Sequence, residues 1–256
     1  MLKYESYHFG DSNSFSFYHN INFSFAKNIH RSFEYIFVKK GQLDLMLGNK
    51  TYTIAENQGA LILPYEIHSF NTNDYSDSYI CVFSPEYIKT FQNMIQGKCL
   101  KTPIFNVSPI VQDLTFQTLF NKNNDILSIK SSLYMISSEV LKQTELIESG
   151  KTDQILIHKV LSYIQNNFTK NISLKEISSN LGYSYNYLSK YLNETLELSY
   201  VDFINENRIS YALYLLKNTD SSITDIAYSC GYSNVRSFNR NFIKIAKITP
   251  TEYRNL

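Results

Sequence analysis

Two stretches about 50 residues apart repeat one layout, and that repetition constrains the fold more than any other feature of the chain. Each opens on a serine followed three positions later by an acid, Ser173 with Glu176 and Ser222 with Asp225. A serine hydroxyl at that offset caps the free N–H groups of a starting helix. Apolar residues then recur at helical spacing, Leu174, Ile177 and Leu181 in the first stretch and Ile223, Ile226, Ala227 and Cys230 in the second. Both runs end on Gly-Tyr-Ser, at 182–184 and 231–233, where glycine lets the chain leave a helix in a tight turn. A second helical pattern follows each turn. Leu188 and Leu192 point inward in the first, and Val235, Phe238, Phe242 and Ile245 lie on or near the inward face of the second.

The outward faces are polar and basic. The first carries Tyr185, Asn186, Tyr187, Ser189, Lys190 and Asn193; the second begins at Asn234 and carries Arg236, Ser237, Asn239, Arg240 and Lys244. A short helix, a glycine turn and a helix with a basic outer side is the helix-turn-helix layout, whose second helix enters a DNA major groove. Between the repeats, Tyr200 to Leu216 reads as one helix with Val201, Ile204, Ala212, Leu215 and Leu216 along it. Such a helix would hold two reading heads about one DNA turn, roughly 34 Å, apart. Thr249-Pro250-Thr251-Glu252 starts a last short helix that returns Tyr253 to the domain.

These residues resemble the AraC/XylS family of bacterial transcription regulators. The resemblance rests on the first unit with its Gly-Tyr-Ser turn, on Arg208-Ile209 and Ala212, and on the run from Ile223 to Arg254. It implies promoter binding through both units, with base contacts at Asn186, Ser189 and Lys190 in the first and at Val235, Arg236, Ser237 and Arg240 in the second. Val235 stands where the family often has a polar residue, so it either touches a thymine methyl or packs.

Charge agrees in sign only. Of 256 residues, the formal net charge is +1. Residues 1–150 hold 12 Lys and Arg against 14 Asp and Glu, a net −2, and residues 151–256 hold 12 against 9, a net +3. Hydrophobic residues make up 43% of the chain, with no run long enough for a membrane span. The start, MLKYESYHFG, has no apolar signal core, so the chain is expected to stay in the cytoplasm. Cys81, Cys99 and Cys230 lack metal or redox spacing and read as small buried hydrophobes.

Residues 1 to about 83 read as strands: Ser14–Tyr18, Phe33–Val38, Leu43–Leu47, a Gly48-Asn49 hairpin turn into Thr51–Ile54, Gly59–Leu63 closed by Pro64, and Tyr79–Phe83. Short strands with frequent turns argue for a sandwich or barrel. There is no phosphate loop and no dinucleotide fingerprint. This part resembles a cupin barrel on His30-x3-Glu34-x6-Gly41, Gly59-Ala-Leu-Ile-Leu-Pro64 and His68, with Asn28 where a metal cupin has its first histidine. His30, Glu34 and His68 are then an incomplete metal set or ordinary barrel-mouth residues, and the reading adopted is no metal, no cofactor and no catalysis. A small barrel holds one ligand, and Tyr18, His30, Tyr35, Phe37 and His68 are the expected effector-lining residues, a tyrosine-rich wall suited to a sugar.

Ser84-Pro85-Glu86 starts a helix through Tyr87, Ile88, Phe91 and Ile95 that stops near Gly97. Lys101 to Pro109 reads as a loop, and Ile110–Phe120 and Ile126–Ile147 as helices, which family analogy assigns to a homodimer. The joint is expected at Glu148–Thr152, dividing a cupin-like effector and dimerisation domain at 1–150 from an all-α DNA-binding domain at 151–256 that opens with a helix over Ile155–Phe168. The fold class is therefore α+β. The expected function is a DNA-binding regulator, an activator answering a small molecule and contacting RNA polymerase. The alternatives are a constitutive regulator whose barrel only dimerises, or a metal-binding cupin enzyme fused to a DNA-binding module.

Overall fold

The computed structural model describes residues 3–4, 15–121, 125–148, 152–196 and 199–255. The chain divides into two compact units, which among the described residues run over 3–4 and 15–155 and over 156–255. The joint expected at 148–152 falls mainly on 149–151, outside the described residues.

The first unit is sheet-rich, with strands β1 (Lys3–Tyr4), β2 (Phe15–Ile21), β3 (Phe25–Ile29), β4 (Phe33–Leu47), β5 (Lys50–Ala55), β6 (Gln58–Ile62), β7 (His68–Asn71) and β8 (Ser76–Phe83). A 3₁₀ turn (Pro85–Ile88), α1 (Lys89–Met94), β9 (Lys98–Leu100), β10 (Ile104–Asn106), α2 (Pro109–Thr118), α3 (Ile126–Gln143) and β11 (Leu146–Glu148) complete it. Two strands expected from the sequence are one. β4 runs the full 15 residues and serves both halves of a nine-stranded sheet. Its first half pairs with β6 and β8, its second with β5 and β7.

A bulge joins the halves. The register against β8 slips by one between Val38 and Lys40, leaving Lys39 and Lys40 both exposed. A one-residue slip exchanges the faces of a strand. Ile36 and Val38 before it, and Leu43 and Leu45 after it, therefore all enter one core with Ile54, Ile62, Phe70, Ile80 and Val82. Gly41, at φ +77°, makes this geometry accessible, because a Cβ there would lie 2.2 Å from the Tyr75 carbonyl oxygen. The other face of the first half sends Phe33, Tyr35 and Phe37 into a second core under the helices, with Phe91, Val111, Leu133, Ile136 and Val140.

The sheet-rich unit with flanking helices is the one expected, and its sheet keeps open edges. Among the described residues, β1, β2, β5 and β10 each pair along one edge only. The sequence also missed β3, β7, β9, β10 and β11, which are five residues or shorter. The helix expected to reach Ile147 stops at Gln143, and Leu146–Glu148 instead pairs with β9. Part of the expected loop after Lys101 pairs with β6 as β10.

The second unit is helical: α4 (Thr152–Asn167), α5 (Leu174–Leu181), α6 (Tyr185–Leu196), α7 (Tyr200–Asn218), α8 (Ile223–Ser229), α9 (Val235–Ala246) and α10 (Pro250–Arg254). Ser173, Ser222 and Thr249 cap the helix starts read from the sequence, and Ser199, which that reading did not name, caps α7; each accepts a backbone N–H three residues on. Both turn glycines are left-handed, Gly182 at φ +76° and Gly231 at φ +86°.

Candidate functional site

Each unit contributes one arrangement, a pair of exposed helix faces in the second and a closed polar cluster in the first.

α9 is held by its inner face. Phe238 and Phe242 are fully buried in a core with Ile209, Ala212, Leu216, Ile226 and Cys230. At helical spacing this turns Arg236, Arg240 and Lys244 outward as one exposed stripe. The remaining expected contacts are less free. Asn234 is the N-cap of α9 and its Oδ1 accepts the Ser237 N–H at 2.8 Å, so its side chain positions the helix. Val235 is half-buried and packs against the core. Ser237 and Asn239 are half-buried.

α6 repeats the arrangement with less charge. Leu188, Leu192 and Leu196 are buried, while Tyr185, Asn186, Lys190 and Asn193 are exposed and Ser189 is half-buried. Lys190 lies 3.8 Å from Glu194 one turn on. Tyr183, Tyr187 and Tyr191 stack in series along the helix, with interplanar angles of 15° and 9°.

Two residues of α7 matter here. Arg208 donates from Nε to the Phe168 carbonyl at 2.8 Å and from Nη2 to the Lys170 carbonyl at 2.9 Å, and lies over the Tyr232 ring. It ties the chain after α4 to α7 and to the second turn. Asp202 accepts from Lys244 Nζ at 2.7 Å and from the Ser199 hydroxyl at 2.7 Å. The Lys244 ammonium, then Ser199, hold its carboxyl below the usual range. Both lie along a groove of about 810 Å³ between α7 and α9 that Ser237, Arg240 and Asn241 also line. The sequence reading missed Asp202. Ser199-x-x-Asp202 marks a helix start, but nothing local signals a partner 42 residues away.

An exposed ion pair is worth at most about 1 kcal/mol, so Lys244 is readily released to a phosphate. Asp202→Asn keeps the helix start and removes a negative charge from the groove. It is expected to raise duplex affinity about three- to tenfold at low salt, with the gain shrinking as salt rises. Fluorescence anisotropy at two salt concentrations tests this; an unchanged or weaker affinity would show that Asp202 does not compete for Lys244.

The five expected effector-lining residues are not brought together. Tyr18 is 51% exposed, whereas Tyr35 and Phe37 are sealed in the core beneath the helices. The one-residue alternation of a strand separates them from His30 and His68, which are buried with Glu34. Half-buried rings gather instead at Phe17, Tyr79, Phe116 and Phe120, with Tyr79 5.0 Å from Phe120 and 4.8 Å from Phe116.

In the closed cluster, Glu34 Oε2 lies 3.1 Å from His30 Nε2 and 3.1 Å from His68 Nε2. Burial pushes the Glu34 carboxyl up, but hydrogen bonds and positive charge from the two histidines overcome it and hold it at about 2.

Comparison with known proteins finds matches in both units. A family model described as a helix-turn-helix domain matches residues 177–256. Another, described as an AraC-like ligand binding domain, matches residues 14–127. The chain belongs to the AraC family. An HTH-type transcriptional regulator of Escherichia coli, YdiP, is 26% identical over 239 residues, covering 86% of this AraC-family chain and 78% of that protein. A regulator of Staphylococcus aureus strain N315 is 39% identical over 98 residues, 38% of the chain, and the match spans only 13% of that relative's length. ToxT of Vibrio cholerae, in its apo form, has the same fold, with a TM-score of 0.51 at 18% identity over 96% of this chain and 98% of its own. A crystal structure of ToxT with a bound unsaturated fatty acid gives 0.50 at 19%, over 94% of each chain. This AraC-family chain thus carries a helix-turn-helix domain and an AraC-like ligand binding domain. No helix among its described residues is long and apolar enough to cross a membrane.

Proposed function

We propose that the chain is a cytoplasmic, effector-controlled transcription activator that sets α6 and α9 into two successive major grooves of a promoter. The outward stripe of Arg236, Arg240 and Lys244 on a helix anchored by Phe238 and Phe242 carries this reading. Bases are read by Asn186, Ser189 and Lys190 in α6 and by Arg236, Ser237 and Arg240 in α9. Tyr185, Asn193, Asn239 and Lys244 flank them and meet the backbone. Residues 1–150 sense the effector and dimerise, and 151–256 bind DNA. The exposed apolar side chains of Leu127, Tyr134 and Met135 on α3 support a homodimer, and activation requires contact with RNA polymerase.

A selection from random duplexes with the full chain is expected to return two half-motifs about one helical turn apart. Recovery of one half-motif would reduce α6 or α9 to a structural role, and recovery of none in the presence of active effector would overturn the reading.

The effector is a small molecule that stacks on the rings at Phe17, Tyr79, Phe116 and Phe120. Their half-exposed faces suit a sugar first, and the fatty acid bound by ToxT adds lipids to the panel. A ligand at 100 times its Kd stabilises by about 2.7 kcal/mol, which raises the melting temperature by roughly 5–10 °C for a domain of this size. A thermal screen of sugars, bile salts and fatty acids is expected to yield one such class. No shift with any of them would favour a constitutive regulator whose first unit only dimerises.

A further inference from the structure

We propose that Tyr187 on α6 is an uncharged anchor for a DNA backbone phosphate, braced by the rings of Tyr183 and Tyr191. The inference deepens the reading of α6 as a DNA-reading helix and rests on it. The two helix-turn-helix units supply the comparison that locates it. An offset of 50 residues brings their second helices into step. Leu188 and Leu192, buried under α6, then match Phe238 and Phe242 under α9. The caps match too. Ser184 Oγ accepts the Tyr187 N–H at 3.2 Å, and Asn234 Oδ1 accepts the Ser237 N–H at 2.8 Å. Tyr187 therefore holds the place of Ser237, Lys190 that of Arg240 and Glu194 that of Lys244.

Those exchanges leave α6 short of positive charge. α9 turns Arg236, Arg240 and Lys244 outward, whereas the matching residues of α6 are Asn186, Lys190 and Glu194, all exposed. Lys190 is the only cation between Tyr185 and Leu196, and Glu194 lies 3.8 Å from it. A helix in a major groove still has to fix its register against the sugar-phosphate strands. Uncharged donors, tyrosine hydroxyls among them, do this alongside Lys and Arg.

The tyrosines fit that role. The Tyr187 ring lies 5.5 Å from that of Tyr183 and 6.2 Å from that of Tyr191, with interplanar angles of 15° and 9°. Both separations fall in the range of favourable ring pairs. Tyr187, the middle ring, is 44% exposed, and its hydroxyl has no hydrogen-bond partner among the described residues. Held from two sides, it has little side-chain freedom left to lose on binding. It stands about 100° around the helix from Asn186, so it flanks the stripe assigned to base edges and faces a strand instead. The second turn shows the contrast. Its Tyr232 is 5% exposed, donates its hydroxyl to Asn205 Oδ1 at 2.9 Å and lies beneath Arg208. The same Gly-Tyr-Ser turn thus closes a core in one unit and begins an outward stack of rings in the other.

Tyr187→Phe in the full chain keeps the stack and removes only the hydroxyl, so it is expected to melt like the parent. Its affinity is expected to fall about three- to tenfold, both for the duplex returned by the selection and for a duplex of shuffled sequence. The salt slope is expected to stay unchanged, because a neutral donor displaces no counterion. Lys190→Ala, measured beside it, is expected to weaken the selected duplex most. Fluorescence anisotropy across a salt series reads both variants. Unchanged affinity in Tyr187→Phe beside a weakened Lys190→Ala would overturn the anchor and leave α6 as a reading helix. Unchanged affinity in both would take α6 off the DNA and overturn the two readings together. A loss confined to the selected duplex would make Tyr187 a base contact, and a shallower salt slope would make it a support for Lys190; either would overturn the proposal.

Discussion

Gly231→Ala is expected to cost about 3 kcal/mol or more, and Gly182→Ala only about 1 kcal/mol, although both glycines occupy the same Gly-Tyr-Ser turn. Each has a left-handed backbone, which costs an ordinary residue about 1–2 kcal/mol. They differ in surroundings. A Cβ on Gly182 would meet nothing within 4 Å. One on Gly231 would lie 2.6 Å from the Thr169 carbonyl oxygen and 2.9 Å from that of Phe168. These are backbone atoms, and Arg208 fixes the segment by its bonds to Phe168 and Lys170. The turn cannot relax without breaking that anchor or opening the core around Phe238, so strain adds to the conformational cost. Urea denaturation followed by far-UV circular dichroism would measure both variants. Equal losses would show that the Phe168–Lys170 segment yields, and that Arg208 does not clamp it.

The twin turns mark what was legible in the sequence. Caps, turn glycines and helix faces depend on residues three or four apart, and those signals placed α5, α6, α8, α9 and α10 with their exposed sides. The clash at Gly231 joins residues more than 60 positions apart and leaves no local trace. β4 is an intermediate case. Its two halves alternate correctly, but the bulge at Lys39 reverses the parity between them, so a strict period of two reads one strand as two. The five expected effector residues lie apart for a related reason. Tyr35 and Phe37 alternate with Glu34 and Ile36, and only the position of α1–α3 decides which face is sealed. The His30, Glu34 and His68 constellation was visible as residue types at a spacing.

The same limit applies to DNA recognition, where the exposed stripe was legible and the opposing Asp202 was not. Arg240→Ala is expected to lower affinity for the cognate duplex by about 1–3 kcal/mol, roughly 5- to 150-fold, and to relax selection at the base pair it reads. Arg240 lies exposed on α9 one turn from both Arg236 and Lys244, and it borders the groove facing α7. The first turns of a recognition helix reach base edges, and its last turn lies nearer the backbone. Lys244→Ala is therefore expected to weaken all duplexes alike and to reduce the salt slope by about one. The pair of variants distinguishes reading from anchoring, since neither removes a buried side chain and both should melt like the parent. If Arg240→Ala lowered affinity for all duplexes by the same factor, Arg240 would be a phosphate anchor. Base selection by α9 would then rest on Arg236 and on Ser237, whose backbone N–H the Asn234 cap holds at the start of the helix.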